Sequence, residues 1–324
     1  MPLIVIYNPV SGDRTAAKLT TDTIIPLLAT HNVTPDKVAA TEYAGHVGEL
    51  ILSYIDSLAP SSSTEPITLV LVSGDGTLHE IANALHSARS KREGSFPSLR
   101  IALIPGGTAN ALHSTFFPPS TSSTTEPTLF ASLLSFLSTT PRLIPLTFAQ
   151  TTICSSPTLL ALRNPHKFPF AASFRSASSD VDVISAVVTS TALHAAILHG
   201  SEALRASVPG IERFKLAAEQ NATTWYRGSL KLLPPVQEYD VNTGAFIDLV
   251  PEDEVVGSMG GSVGGSVGPS GPFAYFLSTV NADRLEPLFR IAPLQRTMPS
   301  PPDAHTMDVL VVRPFLDISL NGKS

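Results

Sequence analysis

The sequence predicts a Rossmann-like α/β domain, a parallel sheet with helices on both faces, followed by a β-rich, sandwich-like domain. Three observations predict it. Aliphatic runs at Leu3–Tyr7, Ile67–Val72 and Ile101–Ile104 each end in a polar, glycine-bearing turn and then pass into helical spacing. After about residue 143 the pattern changes to many short strand-like runs separated by turn residues. A chain of 324 residues with 43% hydrophobic content is long for one core and rich enough to bury two. We therefore expect domains at 1–143 and 144–324.

In chain order, the strand Leu3–Tyr7 leads into Asn8-Pro9-Val10-Ser11-Gly12, and Ala16–Leu28 reads as a helix with Pro26 as its terminator. Val33–Thr41 is the second strand and Val47–Leu58 the second helix. Ile67–Val72 is β-branched and aliphatic throughout, as a strand buried on both faces should be. It turns through Ser73-Gly74-Asp75-Gly76-Thr77, after which Leu78, Ile81, Ala82 and Leu85 fall on one helical face. The strand Ile101–Ile104 turns through Gly106-Gly107-Thr108-Ala109-Asn110 into another helix, and Leu129–Leu137 has helical spacing. Ala59–Pro66, Ser87–Ser98, Phe117–Pro127 and Ser155–Pro157 read as surface connectors.

In the second domain we expect strands at Leu143–Phe148, Thr158–Leu162, Phe168–Phe174, Val181–Val188, Leu230–Leu233, Ala245–Val250, Phe273–Val280 and Val309–Val312. Helices at Ala192–Ala206 and Ile211–Asn221 interrupt them. Gly257–Pro272, GSMGGSVGGSVGPSGP, has no strand before it and no helix after it, so it reads as a flexible connector rather than a phosphate loop.

A helix N-terminus presents unpaired N–H groups and the positive end of its dipole, and phosphate is its usual guest. Gly74 and Gly76 let backbone approach such a guest, while Asp75 projects a carboxylate into the same space. A carboxylate there binds a metal or takes a proton from an attacking hydroxyl. The plainer alternative is a tight βα turn with Asp75 as a helix cap. Three consecutive strand ends with such turns imply one crevice at the carboxyl edge of a parallel sheet.

Composition narrows the classes. A formal net charge of −6 with 15% charged residues gives no basic patch, so nucleic acid is not an expected partner. One cysteine, Cys154, rules out an intrachain disulfide and reads as a buried small hydrophobe in a reducing compartment. No signal-peptide pattern opens the chain and no apolar run reaches the ~18 residues of a membrane span. A cytoplasmic protein is expected, soluble or held peripherally on intracellular membranes. The histidines lie scattered without metal-ligand spacing, so no protein metal site is expected. No G-x-S-x-G elbow precedes a helix.

The motifs NPxSG (Asn8–Gly12), SGDGTLHE (Ser73–Glu80) and PxGTxN (Pro105–Asn110), with Thr41-Glu42-Tyr43-Ala44-Gly45-His46 and Glu49-Leu50, resemble the catalytic domain of the diacylglycerol kinase and sphingosine kinase family of lipid kinases. The resemblance is strong over residues 3 to about 115 and traceable to about 313. It implies ATP with Mg²⁺ as cofactors, a membrane lipid bearing a hydroxyl as substrate, and peripheral membrane contact. It carries the general-base role to Asp75. Nucleotide contacts are carried to Asn8, Pro9, Ser11, Gly12, Thr41, His46, Ser73, Gly74, Gly76, Thr77, Gly106, Gly107, Thr108 and Asn110. As a helix-start residue, His46 reads first as a capping or packing side chain, with nucleotide contact the alternative. Arg205 and Arg213 fall where the family places phosphate-binding arginines, and a planar guanidinium suits phosphoryl oxygens. A solvated helix face is the alternative for Arg205. The resemblance says nothing of oligomeric state.

The sequence departs from the family at several places. Asp13 stands where a basic residue is usual, leaving Arg14 or Lys18 for any cationic help. Ala196 and Leu198, beside His199, occupy places where sphingosine kinases carry acidic residues for the sphingoid amine. The family continues into a DGE-like acidic motif, which is not found before Ser324. A shortened chain, a dispensable acidic partner and a non-competent kinase are the alternatives. Sphingoid bases and diacylglycerol are both candidate acceptors. The rivals are a catalytically silent nucleotide- or lipid-binding homologue and an NAD kinase-like enzyme, which shares a GGDG turn.

Overall fold

A computed structural model describes residues 1–58, 65–89, 91, 96–118, 128–153, 181–208, 210–228, 230, 232–233, 235–249, 272–295 and 305–313. Cys154, the strands expected at Thr158–Leu162 and Phe168–Phe174, and all of the Gly257–Pro272 run but its last residue lie outside the described residues, as do most of the expected connectors.

The first half is built on four strands: β1 (Leu3–Tyr7), β2 (Lys37–Ala40), β3 (Ile67–Ser73) and β4 (Leu99–Pro105). They pair in parallel in the order β2-β1-β3-β4, with Ile4 opposite Leu69 and Val72 opposite Ile104. Side chains alternate between faces along a strand. Ile4, Ile6, Leu69 and Leu71 therefore meet Val47, Ile51 and Tyr54 of α3 (His46–Ser57), Leu78 and Ile81 of α4 (Asp75–Arg89) and Leu112 of α5 (Ala111–Phe116). Leu3, Val5, Val70, Val72 and Ile104 meet Ala16 of α1 (Ala16–Leu19), Ile24, Leu28 of α2 (Ile25–Thr30) and Leu133 of α6 (Ala131–Leu137). Helices cover both faces, as expected for strands that are aliphatic throughout.

Pro26 does not end the first helix. A π turn, Thr20–Ile24, joins α1 to α2 and the helical run continues to Thr30. Proline removes one i→i−4 bond, and a wider turn just before it accommodates that loss.

The stretch Leu143–Phe148, expected as a strand, is irregular and largely exposed. Pro141 and Pro145 cannot donate to a ladder. The strand begins after them, as β5 (Ala149–Ile153), which pairs antiparallel with β6 (Val181–Ser185). Further strands are β7 (Val188–Thr191), β8 (Gln237–Asp240), β9 (Ala245–Asp248), β10 (Tyr275–Thr279), β11 (Arg284–Glu286), β12 (Phe289–Arg290) and β13 (Asp308–Val312). β8–β9 and β11–β12 form antiparallel pairs, and β13-β10-β7 is a three-stranded sheet. Helices α7 (Ala192–Leu204) and α8 (Glu212–Asn221) fall where the spacing put them. The fold class is thus an α/β domain with a parallel sheet, followed by a β-rich region. The chain divides into two compact units, Met1–Thr189 with Ser278–Asp308, and Ser190–Leu277 with Val309–Ser324. Residues 144–189 group with the first.

Candidate functional site

Parallel pairing brings the carboxyl ends of the strands to one edge, and backbone bonds continue past the strands to lock their turns together. Asn8 N–H donates to the Val72 carbonyl at 3.1 Å, Gly106 N–H to Ser73 O at 3.1 Å, and Thr41 N–H to Tyr7 O at 2.9 Å. The glycine-bearing turns after β1, β3 and β4 are therefore brought together at that edge.

The glycines serve mainly to let the turns close on one another. Gly12 has φ +51°, and a Cβ there would stand 2.5 Å from the Gly106 carbonyl oxygen. A Cβ on Gly107 would stand 2.6 Å from Gly74 Cα and 2.9 Å from Asn110 Oδ1. Gly76 differs: it is exposed, and a Cβ on it would meet nothing within 4 Å. It opens the first turn of α4, a 15-residue helix whose dipole favours negative charge at this end.

Hydroxyls and amides tie the turns further. Ser73 Oγ and Thr77 Oγ1 share a buried hydrogen bond of 2.6 Å, and Asn8 Nδ2 donates to Thr77 Oγ1 at 3.4 Å. Asn8 Oδ1 accepts from Val10 N–H, and Ser11 N–H returns to Asn8 O, so Pro9 and Ser11 sit in a tight local turn. Asn110 adopts φ +54°, and its side chain both accepts from Gly107 N–H (2.8 Å) and donates to Gly107 O (2.7 Å). Its amide therefore closes the GGTAN loop, with Thr108 inside it. Asn and Asp tolerate this left-handed conformation better than other residues bearing a Cβ.

Asp75 caps a helix, but not its own. Its Oδ2 accepts from Ala111 N–H at 2.7 Å and its Oδ1 from Leu112 N–H at 3.1 Å, so it satisfies the first amides of α5. Burial pushes its carboxyl pKa up, and the Leu112 and Ala111 amides oppose that rise. The residue as a whole is only partly buried, although its carboxyl is enclosed. A raised carboxyl pKa is suited to proton acceptance near neutral pH.

The turn Thr41–His46 is pinned at both ends. Thr41 is buried beside Tyr7, and Gly45 N–H donates to Glu80 Oε2 of α4 at 2.9 Å. His46 Nδ1 accepts from Glu42 N–H at 3.1 Å, and its ring stacks on Tyr43, so its packing role is the one the geometry displays. Arg14 is exposed with φ +61°, and Lys18 is exposed.

Arg205 and Arg213 belong to the second unit. Arg205 pairs with Glu202 at 2.7 Å on a solvated helix end. Arg213 is buried and lies 4.5 Å over the Phe214 ring. Its pKa is lowered by burial first and by the Arg205 cation second.

Two asparagines were not singled out by sequence reasoning. Asn83 of α4 accepts from Ile184 N–H and donates to Ile184 O, each at 2.8 Å, extending the β6 pairing with a side-chain amide. Asn281 does the same to Thr147 (3.0 and 2.7 Å) and also donates to Ala186 O at 2.5 Å. The one available signal was a polar Asn83 beside the apolar positions Ile81, Ala82 and Leu85. Among the described residues, no group of three His, Cys, Asp or Glu could hold a metal ion, and no helix is long and apolar enough to cross a membrane.

Comparison with known proteins agrees with the motifs. Residues 2–133 match the family described as diacylglycerol kinase catalytic domain. Sphingoid long-chain bases kinase 1 of Arabidopsis thaliana is 28% identical over 110 residues, which is 34% of this chain and only 13% of that relative's length. The crystal structure of a diacylglycerol kinase from Bacillus anthracis str. Sterne is similar at 14% identity with a TM-score of 0.48, covering 99% of this chain and 79% of that one.

Proposed function

We propose that this chain, whose residues 2–133 match the family described as diacylglycerol kinase catalytic domain, transfers the γ-phosphoryl group of ATP to the hydroxyl of a lipid. The observation that carries this is that three glycine turns close on one another at one sheet edge, with the Asp75 carboxylate set in one of them.

In this mechanism the first turn of α4 receives phosphate oxygens at Gly76, where there is open space. Thr77, held by Ser73 and Asn8, keeps that turn in register. The acceptor hydroxyl approaches the partly buried Asp75, which orients it and takes its proton as the oxygen bonds to phosphorus and ADP leaves. Phosphoryl transfer of this kind depends on positioning and charge neutralisation more than on covalent chemistry. Mg²⁺ fits as an ion held chiefly by phosphate oxygens and water, since the described residues supply no ligand cage. Arg213 and Arg205 are the cations the resemblance assigns to phosphate. Sphingoid bases and diacylglycerol are the acceptor classes, met by a cytoplasmic chain at a membrane surface.

A catalytically silent nucleotide binder is favoured by one observation: both Asp75 oxygens are engaged by α5 amides. The two are separated by incubating the purified full chain with γ-labelled ATP, Mg²⁺ and vesicles carrying sphingosine, ceramide or diacylglycerol. Label in one lipid, lost in Asp75→Asn, supports the kinase. ATP binding with no labelled lipid across the panel overturns it in favour of the silent binder.

A further inference from the structure

The turn between β2 and α3 displays an aromatic side chain that the mechanism above leaves unused. Tyr43 is 54% exposed, yet it is held on three sides. Its ring stacks on His46 with centroids 4.6 Å apart and planes within 8°. Its hydroxyl donates to Glu49 Oε2 at 2.6 Å. His46 is itself fixed by the Glu42 amide, and the backbone of the turn is tied to β1 through Thr41 and to α4 through Gly45. Ordering a large exposed side chain costs conformational entropy. One face of the ring repays part of that cost on His46, and about half of the residue stays exposed at the carboxyl edge of the sheet.

The position matters as much as the rigidity. Tyr43 follows the end of β2, Asp75 follows the end of β3, and β1 lies between those strands. Neighbouring strands are about 4.8 Å apart, so the two turns stand roughly 10 Å apart along the crevice edge. A nucleoside triphosphate that ends at Asp75 must lay its ribose and base along this edge, and β2 offers the flat surface at its far end. Among the described residues of the β1, β2, β3 and β4 turns, Tyr43 is the exposed aromatic.

Resting on the kinase reading, we propose that Tyr43 is the nucleobase platform of this chain: the purine of ATP stacks on the ring face opposite His46. Stacking of a base on an aromatic side chain tolerates many bases, so the platform supplies affinity for a nucleoside over bare polyphosphate rather than choice among purines.

The test compares ATP with inorganic tripolyphosphate, which keeps the phosphates and lacks the base, by calorimetric titration of the full chain. Tyr43→Ala is expected to weaken ATP about 5- to 100-fold while tripolyphosphate changes less than about two-fold. Tyr43→Phe, which keeps the ring, retains ATP affinity. Tyr43→Leu, which keeps bulk for His46 but no flat face, behaves as Tyr43→Ala and serves in its place should that variant not fold. Equal loss of both ligands in Tyr43→Ala and Tyr43→Leu makes Tyr43 a packing residue and overturns the platform, as does unchanged ATP affinity. If the unaltered chain binds neither ligand, the kinase reading fails and the platform with it. If it binds both equally, only the platform fails.

Discussion

Gly76 and Gly107 stand in two of the turns that meet at one edge of the sheet, and the structure predicts opposite consequences for adding one methyl group to each. At Gly107 the new Cβ would sit 2.6 Å from Gly74 Cα and 2.9 Å from Asn110 Oδ1. Backbone on one side and a doubly bonded amide on the other leave little to yield, and overpacking of this kind costs about 1–3 kcal/mol. At Gly76 nothing lies within 4 Å, and alanine in place of glycine in a helix gains up to about 1 kcal/mol. Hydrogen exchange at the Gly106 amide, which donates to Ser73 O at 3.1 Å, reports how firmly the turns are closed. Gly107→Ala should lower its protection about ten- to hundred-fold, at roughly 1.4 kcal/mol per decade, while Gly76→Ala leaves it unchanged. The order reverses for ligand: Gly76→Ala fills the space where phosphate would approach and should raise KM for ATP about ten-fold or more. Unchanged protection in Gly107→Ala would refute the closure of turn on turn. Unchanged KM in Gly76→Ala would show that the open space is not where the nucleotide lies.

Three further outcomes are expected. Because burial raises the Asp75 carboxyl above its ordinary 3.8, the folded state binds the proton more tightly than the unfolded one. The stability this supplies is full below pH 3.8 and is lost as pH rises through the folded-state value; urea unfolding across that range should show the decline, and Asp75→Asn should flatten it. Asn83→Ala leaves the Ile184 N–H and C=O without their side-chain partners, costing about 1–3 kcal/mol, with faster exchange of the Ile184 amide as the readout. His194, buried against Tyr275 and bonded to Ser190 at 2.6 Å, has its pKa pushed down by burial to about 4. Its contribution is therefore present above the ordinary 6.5 and lost as pH falls toward 4, and imidazole NMR shifts should show it neutral at pH 6.

Several of these elements were legible in residue order. The strand Leu3–Tyr7 has the expected limits, and β3 extends the expected run by one residue. Both succeed because a strand buried on two faces needs an unbroken aliphatic run, a signal carried by neighbours in sequence. Leu143–Phe148 misled because its aliphatic residues alternate like a strand, while Pro141 and Pro145 veto the ladder. The glycine turns are legible as turns from local spacing, whereas their packing on one another is not. In the structure Gly12 packs against the Gly106–Gly107 backbone and Gly107 against Gly74, while a Cβ on Gly76 would meet nothing within 4 Å.

What residue order by itself determined is the local geometry: which runs extend, where each turns, and that acidic Asp75 stands in one turn beside two glycines. Those properties follow from periodicity and backbone freedom within a few residues. Tertiary structure alone decided the partners. Asp75 caps a helix beginning 36 residues later, and Asn83 completes the edge of a strand 101 residues away. No local pattern encodes such pairs, because a hydrogen bond depends on where the sheet's parallel order brings two distant turns, and that order is set by the burial of both sheet faces together.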